Sequence, residues 1–109
     1  MKITTFVANE GARDLSRVMF TWALMRAPLN DVIFQDGAGF SNVRPNRRYS
    51  TTFEWTFRRS GRVYFWEEVR RTLSPGEYVF EFEVDPDHDW GEPDWARENN
   101  ICEATITVR

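Results

Sequence analysis

The sequence predicts an all-β chain, an antiparallel sandwich or barrel, and three observations carry that expectation. Tyr78 to Val84 and Cys102 to Val108 alternate apolar and polar residues with the period of two expected of half-buried strands. Tyr49 to Phe57 repeats the pattern in mid-chain, with Tyr49, Thr51, Phe53, Trp55 and Phe57 on one face and Ser50, Thr52, Glu54 and Thr56 on the other. Turn chemistry separates such runs, above all Ser74-Pro75-Gly76, where proline presets φ and glycine releases the chain. Many short strands between turn signals, with few helical patterns, point to packed or closed antiparallel sheets.

In chain order, Lys2 to Ala8 reads as the first strand and closes at Asn9-Glu10-Gly11, where glycine takes positive φ and asparagine bonds its own backbone. Arg17 to Met25 follows. Val18, Phe20, Trp22 and Leu24 share one face, and Met19, Ala23 and Met25 make the other largely apolar, so this strand belongs in the centre of a sheet or under cover. A helix from Asp14 to Met25 also fits, through Leu15, Val18, Met19, Trp22 and Met25, but the β-rich company favours the strand. Pro28 to Asn46 is the least regular part, with Asp36-Gly37-Ala38-Gly39 and Pro45-Asn46 as turn signals around one short strand at Val32-Ile33-Phe34. Arg62 to Leu73 satisfies both periods, since Val63, Phe65, Glu67 and Val69 alternate while Phe65, Val69 and Leu73 match helical spacing; a strand from Val63 to Trp66 is the reading adopted.

The 109 residues make one domain, 1–109, large enough to bury a core without disulfides or a structural metal. Cys102 is the single cysteine, so packing and hydrogen bonds hold the fold in either redox compartment, and its place in the apolar register with Ala104, Ile106 and Val108 gives it a structural role. A net charge of −3 leaves no basic footprint for nucleic acid, although the chain carries thirteen arginines and one lysine. Met1 to Val7 is too short and polar for a signal segment, and no run reaches transmembrane length, so no membrane insertion is expected. Location follows origin: extracellular or cell surface if the chain is a module cut from a longer protein, cytoplasmic if Met1 is its native start.

Charge is uneven. Arg44, Arg47, Arg48, Arg58, Arg59, Arg62, Arg70 and Arg71 cluster mid-chain, and Asp85, Asp87, Asp89, Glu92, Asp94 and Glu98 cluster late. Each cluster reads either as a solvated face or as a surface for a partner, Arg58, Arg59, Arg62, Arg70 and Arg71 being the candidates on the basic side. Asp85, Asp87 and Asp89 are candidate ligands for Ca2+, a hard cation that takes several oxygens on a tight turn. The EF-hand spacing fails, because Trp90 and Ala96 stand where its glycine and bidentate glutamate belong. Trp90 and Trp95 in the same loop are either platforms for a sugar ring or partner surface, joined in that role by Trp66, or aromatics folded back over the end of the sheets. His88 is the single histidine and lies among carboxylates, Glu67-Glu68 has no spacing rule behind it, and no catalysis is expected.

Several short motifs resemble the CARDB domains, cell-adhesion-related domains of bacterial and archaeal surface proteins. The residues are Val7-Ala8-Asn9-Glu10-Gly11, Thr51-Thr52-Phe53-Glu54-Trp55, Leu73-Ser74-Pro75-Gly76 leading to Tyr78-Val79-Phe80-Glu81-Phe82-Glu83-Val84-Asp85, and Glu98-Asn99-Asn100 before Thr105-Ile106-Thr107-Val108. The resemblance implies an immunoglobulin-like antiparallel β-sandwich of about seven strands. It also implies that the family's first strand is missing and that Arg58 to Thr72 is an insertion. Its functional implication is a non-catalytic structural or adhesive module without a cofactor. A missing strand leaves a sheet edge open to self-association or to another chain. Two other functions fit the residues: a small cytosolic inhibitor or partner-binding protein using the arginine-rich segment, and a carbohydrate-binding module using the loop tryptophans. The expected partner is accordingly a protein or a polysaccharide.

Overall fold

A computed structural model describes residues 1–87, 89–90 and 100–109, and these form antiparallel β-structure with no helix among the described elements. Among the described residues nine strands are present rather than about seven: β1 (Lys2–Ala8), β2 (Leu15–Arg26), β3 (Asp31–Val43), β4 (Arg48–Glu54), β5 (Phe57–Ser60), β6 (Val63–Trp66), β7 (Arg71–Leu73), β8 (Gly76–Val84) and β9 (Ile101–Val108). They pair as a two-stranded sheet β1-β4, a four-stranded sheet β3-β2-β8-β9 and a three-stranded sheet β5-β6-β7.

The apolar doubling of β2 has the expected consequence, since it runs between β3 and β8 with Val18, Phe20 and Leu24 buried and Met25 buried on its other face. Its inner residues register with Phe80 and Phe82 of β8, Leu24 against Phe80 and Trp22 against Phe82. The small sheet packs across this face. The Phe53 ring of β4 lies 5.1 Å from Trp22, 5.3 Å from Phe80 and 6.2 Å from Phe82, centroid to centroid. Tilted contacts of this kind add to burial because ring edges meet ring faces.

The irregular stretch expected from Pro28 to Asn46 is instead β3, the longest strand, and Asp36 to Gly39 lies inside it. Close approach explains the glycines: a Cβ on Gly37 would sit 3.0 Å from the Phe20 carbonyl oxygen, and one on Gly39 would sit 3.0 Å from Met19 Sδ. Residues that read as turn punctuation are there to let β3 lie against β2.

The strand expected from Tyr49 to Phe57 is two strands. Met1 and Trp55 exchange both backbone hydrogen bonds at 2.9 Å as the last rung beside β1, after which Thr56 donates its N–H to Glu68 Oε1 at 2.8 Å and its carbonyl accepts from Glu67 at 3.0 Å. Beyond Trp55 the chain leaves β1 and pairs within the third sheet. The segment expected as an insertion, Arg58 to Thr72, supplies most of that sheet, and the expected strand from Val63 to Trp66 is β6. Trp66 joins the sheet to the core; it is 0% exposed, with centroids 4.9 Å from Trp55, 5.5 Å from Phe34 and 5.7 Å from Phe57.

The two alternating strands of the last third pair as expected, β8 against β9 from Gly76↔Val108 to Glu83↔Ile101. Their burial differs. Cys102 and Ala104 register with buried Phe82 and Phe80, so they face inward, yet both are exposed. The small sheet has two strands to the large sheet's four. Cys102 therefore has the expected side of the strand without the expected burial.

Asn9 closes the other end as a buried polar hub. Its Nδ2 donates to the Arg13 and Val43 carbonyls at 2.8 and 3.1 Å, and its Oδ1 accepts from Gly11 N at 2.9 Å, the local backbone bond expected of asparagine there.

Candidate functional site

Three arginines converge on the β5–β6 hairpin. Its register sets Arg58 opposite Phe65 and Arg59 opposite Tyr64, which places the Arg58 guanidinium 5.6 Å from the Phe65 ring and the Arg59 guanidinium 5.9 Å from the Tyr64 ring. Arg58 also pairs with Glu67, and Arg59 Nε donates to the Gly61 carbonyl at 3.2 Å. Arg62 is exposed beside the turn at Gly61, whose φ of 61° suits glycine. Stacking on aromatic faces holds planar guanidinium groups in place while leaving their edges to donate, the arrangement that suits carboxylates or other planar anions.

The remaining basic candidates are placed apart from this group. Arg70 sits in the turn before β7 with a φ of 53°, and Arg71 Nη1 donates to the Ile33 carbonyl at 2.6 Å, tying the third sheet to β3. Glu68 lies near the same junction. Desolvation, the largest single contribution, pushes its carboxyl up, but together the backbone N–H groups of Thr56 and Glu68, the Thr56 hydroxyl and the Trp66 indole outweigh it and hold the carboxyl below its ordinary value. The Trp66 N–H nevertheless meets no acceptor in full hydrogen-bonding geometry among the described residues.

The acidic candidates separate by burial. Asp85 is 1% exposed, with Oδ1 accepting from Asp89 N at 2.9 Å and Oδ2 from Trp90 N at 3.3 Å, so its carboxylate shapes the turn after β8. Asp87 and Asp89 are exposed, and no cluster of three or more metal-ligating side chains occurs among the described residues. On the outer face of the large sheet, burial first, then Glu103 and then Glu83 push the Glu81 carboxyl above its ordinary value.

The tryptophans expected as platforms are placed differently from one another. Trp66 is in the core, which corrects its assignment to an exposed platform. Trp90 is half-buried and folded back, its Nε1 donating to the Arg17 carbonyl at 2.9 Å. Trp95, His88, Glu92, Asp94 and the Glu98-Asn99 pair lie outside the described residues.

The seam beside β1 is not evident from residue patterns alone. A groove of about 960 Å³ is bordered by Phe6, Val7 and Ala8 of β1, Phe82 and Val84 of β8, and Cys102 of β9. A smaller cavity of about 150 Å³ opens at the other end of the same strands, bordered by Met1, Leu24, Tyr78, Ile106 and Val108. The only sequence signal for it is the strand that the family resemblance counts as missing. No family model, curated protein or solved structure matches the chain.

Proposed function

We propose that the chain is a non-catalytic binding module, an immunoglobulin-like sandwich of the CARDB kind that serves secreted or cell-surface proteins as an adhesive unit. The observation that carries this reading is the order in which the strands change sheets. β1 lies in the small sheet, β2 and β3 in the large one, β4 returns to pair with β1, and β8 and β9 complete the large sheet. This order supports the reading because it can be laid onto an immunoglobulin-like sandwich reduced to B and E on one side and C′, C, F and G on the other, with the three-stranded sheet as an insertion between E and F.

A second surface reading rests on the β5–β6 hairpin, where Arg58 and Arg59 are stacked on rings and Arg62 is exposed beside the tip. An acidic protein or acidic polysaccharide is the partner such a surface fits.

Immobilised protein exposed in turn to purified envelope polysaccharides and surface proteins of its source tests both readings. Saturable binding with the bound molecule recovered unaltered is the expected result, and loss of that binding in the Arg58→Ala, Arg59→Ala, Arg62→Ala triple variant assigns it to the hairpin. Chemical conversion of a bound component would refute the non-catalytic reading.

A further inference from the structure

We propose that the seam between β1 and β9 is an acceptor for one extended strand of a partner protein, running antiparallel to β1. The inference rests on the sandwich reading above and names the kind of partner its open side takes. Because Met1 and Trp55 exchange both backbone hydrogen bonds, residues of the same parity, Ile3, Thr5 and Val7, direct their N–H and C=O groups to β4. Lys2, Thr4, Phe6 and Ala8 direct theirs outward, where no strand pairs with β1 among the described residues. Outward amide ladders of this kind are what a partner strand joins by β-augmentation.

The middle of the edge carries no blocking residue of its own, although the Arg48 guanidinium of β4 lies 5.1 Å from the Phe6 ring. From Thr4 to Ala8 it has no charge, proline or glycine, and Phe6 is 58% exposed at its centre. The β9 edge, by contrast, carries Glu103, and β3 carries Asp31 and Asp36. Cys102, exposed on the inward side of β9, borders the same groove as Phe6, Val7 and Ala8 of β1.

A second copy offering its own β1 edge is the competing occupant; a monomeric mass at the concentrations of the peptide titration is the expected result, and a dimer paired through β1 would overturn the proposal.

Side-chain chemistry follows from the register. A strand of about seven residues, roughly 23 Å long, spans Ala8 to Lys2 and turns three alternate residues inward, opposite Val7, Thr5 and Ile3. The first enters the groove of about 960 Å³ and is best aromatic; the last meets the cavity of about 150 Å³ beside Ile106 and Val108 and is best a branched aliphatic. Charge selects the same direction, since Glu10 stands at the end that receives the strand's amino terminus, and Lys2 and Arg109 stand at the end that receives its carboxylate.

The probe is the heptapeptide Thr-Phe-Thr-Val-Thr-Leu-Thr with free termini, measured by calorimetry and thermal melting against its reversed sequence. Saturating peptide is expected to raise the melting temperature by about 5 °C or more, with the reversed peptide at least tenfold weaker. Thr4→Pro removes an outward N–H while sparing the β1–β4 ladder, and Cys102→Arg fills the strip from an exposed position; each should weaken binding at least tenfold with the free protein's melting temperature nearly unchanged. Thr105→Pro, on the outer edge of β9, should leave binding intact. The proposal is overturned if the forward peptide gives no shift while amides of β1 and β4 stay protected from exchange, if both peptides bind equally, or if Thr105→Pro is as damaging as Thr4→Pro. Absence of protection in β1 and β4 would remove the sandwich reading itself, and the acceptor with it.

Discussion

Trp66→Ala tests whether the third sheet belongs to the core or merely hangs from it. The indole is fully buried and contacts Trp55, Phe34 and Phe57 with centroids 4.9, 5.5 and 5.7 Å away, so rings from β3 and β5 and from the segment after β4 lose their common partner. Truncating a buried tryptophan costs about 3–5 kcal/mol, whereas a domain of this size has a total stability of about 5–15 kcal/mol. With a urea slope of about 1.5 kcal/mol/M, the midpoint should fall by about 2–3 M. Amide exchange locates the loss: protection of Leu24 and Phe80 should drop in step with that of Phe65. Trp66→Phe should cost less than about 1.5 kcal/mol, because it keeps a ring and removes a buried N–H that lacks a well-placed acceptor. A midpoint change worth under about 1 kcal/mol for Trp66→Ala, or a loss of protection confined to residues 57–73, would refute an integral third sheet.

Gly37→Ala should destabilise by about 1–2 kcal/mol in denaturant titration, although alanine normally gains about 0.5–1 kcal/mol over glycine in a strand, because the new Cβ would meet the Phe20 carbonyl at 3.0 Å. Arg26→Lys should cost about 1–3 kcal/mol in the same assay, since a point-charge ammonium cannot reproduce the guanidinium's bonds to Ser74 Oγ, Tyr78 Oη and the Pro75 carbonyl at 2.7, 2.6 and 3.2 Å. Glu81→Gln should stabilise at neutral pH. The Glu81 carboxyl is raised by burial, Glu103 and Glu83, so its stability contribution is present in acid and lost as pH rises through the raised folded value; the variant's advantage should therefore vanish near about pH 4 in melting curves.

Legibility followed whether a residue pattern had one physical cause or two. Alternation along Lys2 to Ala8, Arg17 to Met25 and Tyr78 to Val84 arises from one buried face or two, and each segment is a strand in the expected place. Glycine has two causes, positive φ and close approach, and at Gly37 and Gly39 the second operates, so a long strand reads as turns. The Tyr49 to Phe57 run keeps its alternation across Trp55 and Thr56 although the pairing partner changes there from β1 to β6; no residue in the run records that change. Among the candidate binding residues, Arg58, Arg59 and Arg62 gather because a tight hairpin brings near neighbours together, whereas Arg71 is drawn away by the Ile33 carbonyl, a partner distant in sequence. Trp66 and Trp90 differ for a similar reason, since the core in one case and the Arg17 carbonyl in the other decide their exposure.

Cys102 carries the synthesis furthest. Its register with Phe82 shows that the sequence pattern places it on the inward face, and its exposure shows that inward and covered are separate conditions. Cover must come from another sheet, and the small sheet has two strands to the large sheet's four. In the acceptor proposed above, that bare inward position is one half of the site and the outward ladder of β1 is the other. Neither half is visible in the residues alone: alternation specifies sides of a strand, and only the count of strands in the opposite layer specifies whether one of those sides remains available to a partner.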